Sequence, residues 1–148
     1  MEIPPEITIR ESIRPGSVYY FPHEKFVSQE PHFFVVINIS PTTENVIFLA
    51  YPSSKIEIVK RRNKNNPPQT LVAVRQDQYP DFTCDSIFDC NKIQVDSIEK
   101  LVQRLSSGKL RLKAEMDIVL VEQLRRGVFA SRLIPLNIKQ QLGMITSP

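Results

Sequence analysis

Short apolar runs, each bounded by Pro, Gly, Ser or Asn, form the dominant pattern in the first half of the chain. They cover residues 15–22, 32–38 and 45–54, and each is rich in β-branched and aromatic side chains. Runs of this length and composition are typical of strands, and the turn-forming residues between them separate one strand from the next. The pattern therefore predicts three consecutive strands of a small, strongly coiled sheet.

More strands are predicted further along the chain. The stretch 55–70 starts with isoleucines that alternate with polar residues, which predicts a fourth strand followed by a loop. Apolar runs at residues 71–74 and 86–95 predict two further strands. Residues 1–14 contain two adjacent prolines, which resist regular structure, so they are predicted to be irregular or an edge strand.

Helical spacing is confined to the last third of the chain. Asp96 is predicted to cap a short helix, with Glu99 as its partner in a capping box. A clearer helix is predicted over residues 113–126, because its apolar residues fall on one face, and Gly127 is expected to end it. A last helix is predicted to start at Pro135.

The order of these elements predicts a mainly β fold with C-terminal helices. Strands that come first and helices that come late favour an antiparallel sheet or barrel over alternating β-α-β units. We expect a single domain over residues 1–148, with the barrel at roughly 14–95 and the helical part at roughly 96–143. With four glycines in all, the chain has little material for a Gly-rich nucleotide loop.

Composition narrows the class of protein. Apolar residues make up 41% of the chain, which excludes wholesale disorder. No apolar run approaches the length of about 20 residues that spans a bilayer, and the first residues do not look like a secretion signal. Cys84 and Cys90 are too few for a disulfide scaffold or a four-ligand zinc site. We therefore expect a cytoplasmic protein with reduced thiols, no metal and no membrane partner.

Positive charge is modest in total but locally concentrated. The net charge is +3, and the densest basic segment is a predicted loop that holds Lys60, Arg61, Arg62 and Lys64 without an acidic residue among them. Such a segment is usually a solvated loop, but it is also what contact with nucleic-acid phosphates needs. It is therefore a candidate RNA-binding segment.

A series of short motifs follows the predicted strands in a characteristic order. The motifs are Gly16-Ser17, His32-Phe33 before 34–37, Tyr51-Pro52-Ser53-Ser54, residues 86–96, and Ser107-Gly108-Lys109-Leu110 before a helix. Their order and spacing resemble the MazF/PemK family of toxin endoribonucleases, of the Kid/CcdB type. The resemblance implies a small SH3-like β-barrel over most of the chain.

The same resemblance implies a site and a reaction. In the family, an Arg before the second strand and a Thr after the third act in the cleavage of single-stranded RNA. By position, His32 stands in place of that Arg and Ser53 in place of that Thr. The implied reaction needs neither metal nor cofactor, because the RNA 2′-hydroxyl attacks the adjacent phosphate. The resemblance also implies a homodimer and a cognate antitoxin, as in a type II toxin–antitoxin pair.

Other interpretations of these residues stay open. A His beside two phenylalanines at a strand start is often a hydrogen-bonded structural residue, and a fold can persist without its activity. The alternative function is a non-catalytic SH3-like module that binds a protein or a nucleic acid. His23 lies in a polar loop and becomes a candidate only if that loop folds over His32. Tyr19, Tyr20 and Tyr51 could stack on bases.

Overall fold

A computed structural model describes residues 3–44 and 46–143, and these contain eight β-strands and five α-helices. The strands are β1 (Val18–Phe21), β2 (His32–Val36), β3 (Ile47–Ala50), β4 (Pro52–Ser53), β5 (Leu71–Val74), β6 (Ser86–Asp89), β7 (Gln94–Asp96) and β8 (Arg111–Lys113). The helices are α1 (Pro5–Ser12), α2 (Ile56–Arg62), α3 (Ile98–Ser106), α4 (Ile118–Ala130) and α5 (Leu136–Gln141). Residues 1–2 and 45, which belong to the predicted segments 1–14 and 45–54, lie outside the described residues. Residues 144–148 also lie outside them.

The strands form two antiparallel sheets. The larger has the order β7-β3-β2-β1-β8, and the smaller has the order β4-β6-β5. Only Tyr51 separates β3 from β4, so the chain passes from the first sheet to the second at this residue. Because β4 pairs with β6, the strands do not close into one barrel. The prediction of antiparallel strands with helices is confirmed, but the fold is mixed α/β and not mainly β, since α1 and α2 lie outside the C-terminal part. The closed SH3-like barrel is not confirmed.

The larger sheet is buried on both faces. Successive strand residues point to opposite faces, so β2 contributes Val35 to one core cluster and Phe34 to the other. Val35 shares its cluster with the smaller sheet and with Leu124 of α4, whereas Phe34 shares its cluster with Ile9 of α1 and Leu101 of α3. This double burial explains why β1, β2 and β3 are continuous apolar runs in the sequence.

The first predicted segment is wrong for Pro5–Ser12, which form α1. Proline is tolerated at the first helical positions because its missing N–H would have no helical partner there. Ile9 and Ile13 lie four residues apart and are both buried, as helical spacing requires. The prolines therefore begin this helix instead of preventing it.

The predicted fourth strand is also wrong, because Ile56–Arg62 form α2. The buried side chain here is Val59, whereas Ile58 is exposed. The helical spacing of Ile56, Val59 and Asn63 thus prevails over the alternation of isoleucines. As a result, Lys60, Arg61 and Arg62 lie on a helix and not in a loop.

The later elements differ from their predicted bounds. The predicted strand 86–95 is two strands, β6 and β7, which belong to different sheets. Helix α3 is capped by Ser97, whose Oγ accepts the N–H of Lys100 at 3.2 Å, so the predicted cap at Asp96 is wrong. The predicted helix 113–126 is replaced by α4, which starts later and ends later, while β8 joins the larger sheet beside β1.

Gly127 lies inside α4, where the prediction had the helix end. A Cβ atom at this position would lie 2.7 Å from Sγ of Cys90 and 3.0 Å from the carbonyl oxygen of Gln69. The glycine therefore allows α4 to pack closely against the turn after β6.

We expect Gly127→Ala to lower the free energy of unfolding by about 1–3 kcal/mol, since the added methyl group overpacks this contact. Urea denaturation measures the change. Gln123→Ala, on the exposed side of the same helix, is the matched control and should leave stability nearly unchanged. Equal stability of Gly127→Ala and the wild type would contradict the close packing of α4 on Cys90.

Candidate functional site

His32 is the first residue of β2, where it pairs with Phe21 of β1. Its Nε2 is the only buried side-chain nitrogen or oxygen atom without a hydrogen-bond partner among the residues that the structure describes. Buried polar groups almost always have a partner, so such an atom marks a candidate functional site. Burial also lowers the pKa of the His32 imidazole below its ordinary value of 6.5, which favours the neutral ring.

The loop between β1 and β2 folds over His32. Its Phe26 ring lies edge-on to the His32 ring, with the ring centres 5.0 Å apart, and the same phenylalanine lies 5.0 Å from the ring of Tyr51. On its other side, Phe26 stacks on His23 at 5.3 Å. The loop thus meets the condition that would make His23 a candidate, and an aromatic ring separates the two histidines.

His23 itself is held in place by hydrogen bonding and burial. The backbone N–H of Lys25 donates to Nδ1 of His23 at 3.1 Å, and Nε2 lies 3.6 Å from Oδ2 of Asp96. Burial lowers the pKa of His23, so it is neutral at physiological pH. With only 2% of its surface exposed, His23 anchors the loop and has no access to a substrate.

Ser53 lies in β4 and pairs with Ile87 of the smaller sheet. The pairing of β2 with β3 ends at Val35 and Ala50; continued by three residues, its register would place Ser53 opposite His32. Strands β2 and β4 are in contact, although they belong to different sheets. Oγ of Ser53 accepts the N–H of Lys55 at 3.1 Å, which leaves the hydroxyl proton to be donated elsewhere.

Tyr51 joins the surroundings of these two residues. It lies two positions before Ser53, and its ring packs 5.8 Å from that of Phe34, two positions after His32. Burial raises the pKa of Tyr51; a hydrogen bond with Gln94 and the nearby charge of Arg62 oppose this rise. Arg62 is therefore the member of the predicted basic segment whose charge acts on the Tyr51 hydroxyl.

All four predicted RNA-binding residues are solvent-facing. Lys60, Arg61 and Arg62 are exposed on α2, and Lys64 is exposed just beyond its end. Of the tyrosines, Tyr19 is buried and bonded to Ser12 at 2.9 Å, so it cannot stack on a base. Tyr20 is half-buried, with the Nζ atom of Lys113 5.1 Å from its ring centre.

A buried polar network holds the end of α2, and no local pattern in the sequence predicts it. Asn63 donates to Oδ2 of Asp89 at 3.0 Å, and Asn91 donates to Oδ1 of Asn63 at 3.2 Å and to Oγ1 of Thr70 at 2.9 Å. Ser131, just after α4, donates to Oδ1 of Asn91 at 2.6 Å. The network fixes the backbone at the end of α2, directly after Arg62.

The described residues contain no group of three or more His, Cys, Asp or Glu side chains arranged to hold a metal ion. Cys84 is exposed and Cys90 is buried, and burial raises the pKa of Cys90 to about 12. Across residues 3–44 and 46–143, no helix has the length and apolar character needed to cross a membrane.

Comparison with known proteins does not assign the chain to a family. No protein-family model matches it, and a search of curated proteins found no match either. A function therefore has to be inferred from the geometry around His32, together with the resemblance in the order of its motifs.

We expect the His32 imidazole to titrate below pH 6.5, because its burial disfavours the charged ring. The unfolded chain would bind a proton near pH 6.5 that the folded chain does not bind, so this residue should lower stability as the pH falls below about 6.5. NMR titration of the ring protons measures the pKa directly. His32→Gln should show a smaller loss of stability between about pH 7 and pH 5. A pKa at or above 6.5 would contradict the buried, unpartnered Nε2.

We expect Asn91→Ala to cost about 1–3 kcal/mol of stability, since it leaves buried partners without hydrogen bonds. The loss should be accompanied by faster amide exchange in α2, which the network anchors. Hydrogen exchange and urea denaturation provide the two measurements, and the exposed Asn65→Ala is the matched control. Protection of α2 equal to that of the wild type would mean that the network does not hold this helix.

Proposed function

We propose that the protein is a MazF/PemK-like endoribonuclease that cleaves single-stranded RNA without a metal ion. The observation that carries this proposal is the buried, unpartnered Nε2 of His32 at the start of β2, where the family has its cleavage residue. A neutral imidazole with a free nitrogen can accept a proton near neutral pH. The contact between β2 and β4, the strands that hold His32 and Ser53, adds support.

His32, Ser53 and Arg62 have different roles in the cleavage of RNA. His32 accepts the proton of the RNA 2′-hydroxyl, whose oxygen then bonds to phosphorus. The bond from phosphorus to the 5′-oxygen breaks, and this oxygen takes a proton from water. Ser53 donates its hydroxyl proton to a phosphoryl oxygen in a hydrogen bond, while Arg62 supplies positive charge near the developing phosphorane. The products are a 2′,3′-cyclic phosphate and a free 5′-hydroxyl.

Phe26 controls access to this nitrogen. Since Nε2 of His32 is buried and Phe26 packs against the ring, substrate reaches it only when Phe26 moves. Phe26 belongs to an irregular connection between β1 and β2, so its movement need not break a pair of either sheet. Once the Phe26 ring has moved away from the His32 imidazole, it would be available to stack on a base of the RNA.

The basic residues of α2 contribute RNA binding in this proposal. Lys60, Arg61, Arg62 and Lys64 form one continuous basic segment, which starts on the last turn of a helix whose end is held by Asn63. Phosphate contacts from a fixed segment cost less side-chain and backbone entropy than contacts from a loose loop. The homodimer and the cognate antitoxin belong to the same proposal and stay predictions, as does the likeness of the two open sheets to the SH3-like fold of that family.

The test is incubation of the purified protein with a long single-stranded RNA in EDTA. The wild type should produce discrete fragments with 5′-hydroxyl ends, and His32→Ala should lower the cleavage rate about 100-fold or more, as expected for the removal of a general base. Ser53→Ala should also lower the rate. The neighbouring exposed residue provides the matched variant Ser54→Ala, which should cleave like the wild type.

The outcomes separate this function from the alternative. Cleavage that is unaffected by His32→Ala, or that needs a divalent ion, would overturn the proposed site. Intact RNA with every variant, from protein shown to be folded by circular dichroism, would favour the non-catalytic binding module. If the uncleaved RNA then migrates more slowly with the protein in a gel-shift experiment, the ligand of this binding module is nucleic acid.

A further inference from the structure

A polar cleft lies beside the loop that connects β1 and β2. It has a volume of about 400 Å³ and is open to solvent between this loop and α3. Its charged lining consists of Lys100, Arg104 and Lys109 with a single carboxylate, Glu24. Nothing in the proposed cleavage of RNA uses these residues.

Helix α3 provides most of this charge on one face. Lys100, Gln103 and Arg104 follow the three- and four-residue spacing that places side chains side by side on a helix. Lys109 follows the end of the helix and lies at the same cleft. Leu101, on the neighbouring face of α3, packs in the core, so the helix cannot rotate the basic residues away from the cleft.

Arg104 is prepared to bind an anion. Its side chain is 9% exposed, one terminal nitrogen donates to Oδ2 of Asp96 at 2.8 Å, and the guanidinium lies 4.4 Å from the ring centre of Phe21. These contacts hold the planar group in one orientation. Its other terminal nitrogen faces the loop, where it donates to both carboxylate oxygens of Glu24 at 3.1 and 3.3 Å.

Glu24 occupies the position of an anionic ligand. Its side chain is 59% exposed, so it lies at the mouth of the cleft and not in the core. Because the Glu24 carboxylate is exposed, water can solvate it when it separates from Arg104, whereas Arg104 stays buried and keeps its bond to Asp96. A ligand that makes more contacts than this carboxylate can therefore displace it.

We propose that this cleft binds a phosphate group, with Arg104 as its anchor and Glu24 as the side chain that the phosphate displaces. A phosphate has more oxygens than a carboxylate, so it can bond to Arg104 while it also meets Lys100 and Lys109. Gln103 provides an amide donor beside them. When Glu24 withdraws, the three cations of the cleft lose their exposed counter-charge and the field in the cleft becomes more positive.

Two sources can supply this chemistry, the backbone of a single-stranded nucleic acid and a free phosphate. The first test is an NMR titration with inorganic phosphate, observed at the side-chain Nε–H of Arg104. We expect this signal to shift on binding, and Glu24→Ala should lower the dissociation constant several-fold. Glu24→Gln should bind phosphate with an affinity between those of the wild type and Glu24→Ala.

A second arm uses a short labelled oligodeoxythymidine, followed by fluorescence anisotropy at several salt concentrations. DNA lacks the 2′-hydroxyl, so this binding is measured whether or not the protein cleaves RNA. Lys100→Ala with Lys109→Ala should weaken binding and reduce the salt slope by about 0.7 for each phosphate that these lysines neutralise in the wild type. Lys25→Ala with Lys92→Ala removes the same charge outside the cleft and should leave the slope unchanged.

The two experiments show which source supplies the phosphate group, or that the cleft does not bind one. A salt slope that changes only in the cleft variants identifies a nucleic-acid backbone; phosphate binding that depends on Glu24 without such a change identifies a free phosphate. An Arg104 signal that does not move with phosphate, or a Glu24→Ala variant that binds no more tightly, would overturn the proposal. Thermal denaturation of each variant shows that these differences arise in folded protein.

Discussion

The buried ion pair between Asp96 and Arg104 is the point at which the distant loop between β1 and β2 is attached to the larger sheet and α3. Asp96 ends β7 at one edge of the larger sheet, and Arg104 lies on the inner side of α3. The same Asp96 faces His23, and the same Arg104 holds Glu24, so the loop between β1 and β2 is tied to both. Removal of one partner from a buried pair leaves a charge without compensation, at a cost of about 3–5 kcal/mol. The candidate site depends on this pair because the loop carries Phe26 onto His32.

The sequence predicted the three central strands of the larger sheet, β1, β2 and β3, for a clear physical reason. It missed β8 and merged β7 with β6. Strands buried on both faces are continuous apolar runs, and the runs at 15–22 and 32–38 contain β1 and β2. Helices α1 and α2 were missed because each begins with a local signal that also suits irregular or extended chain. In α1 this signal is a pair of prolines, and in α2 it is two isoleucines separated by one polar residue.

The candidate site was harder to predict than the strands. His32 and Ser53 were named from the order of motifs, but neither the unpartnered nitrogen nor the cover by Phe26 can be read from residue types. The network around Asn91 was missed for a different reason: asparagines between strands usually signal turns, and only the folded chain brings Asn63 and Asn91 together. Long-range pairs of this kind leave no local pattern in a single sequence.

The passage of the chain from one sheet to the other at Tyr51 has a mechanical meaning. His32 belongs to the larger sheet and Ser53 to the smaller one, so no ladder of backbone hydrogen bonds fixes the distance between them. That distance is set by how the two sheets pack through the core that contains Val35 and Phe88. Because packed cores are nearly incompressible, a small change of side-chain volume there would transmit strain to both sheets. The core between the sheets thus acts as a spacer for the site, and its volume can adjust the separation of His32 and Ser53 from a distance.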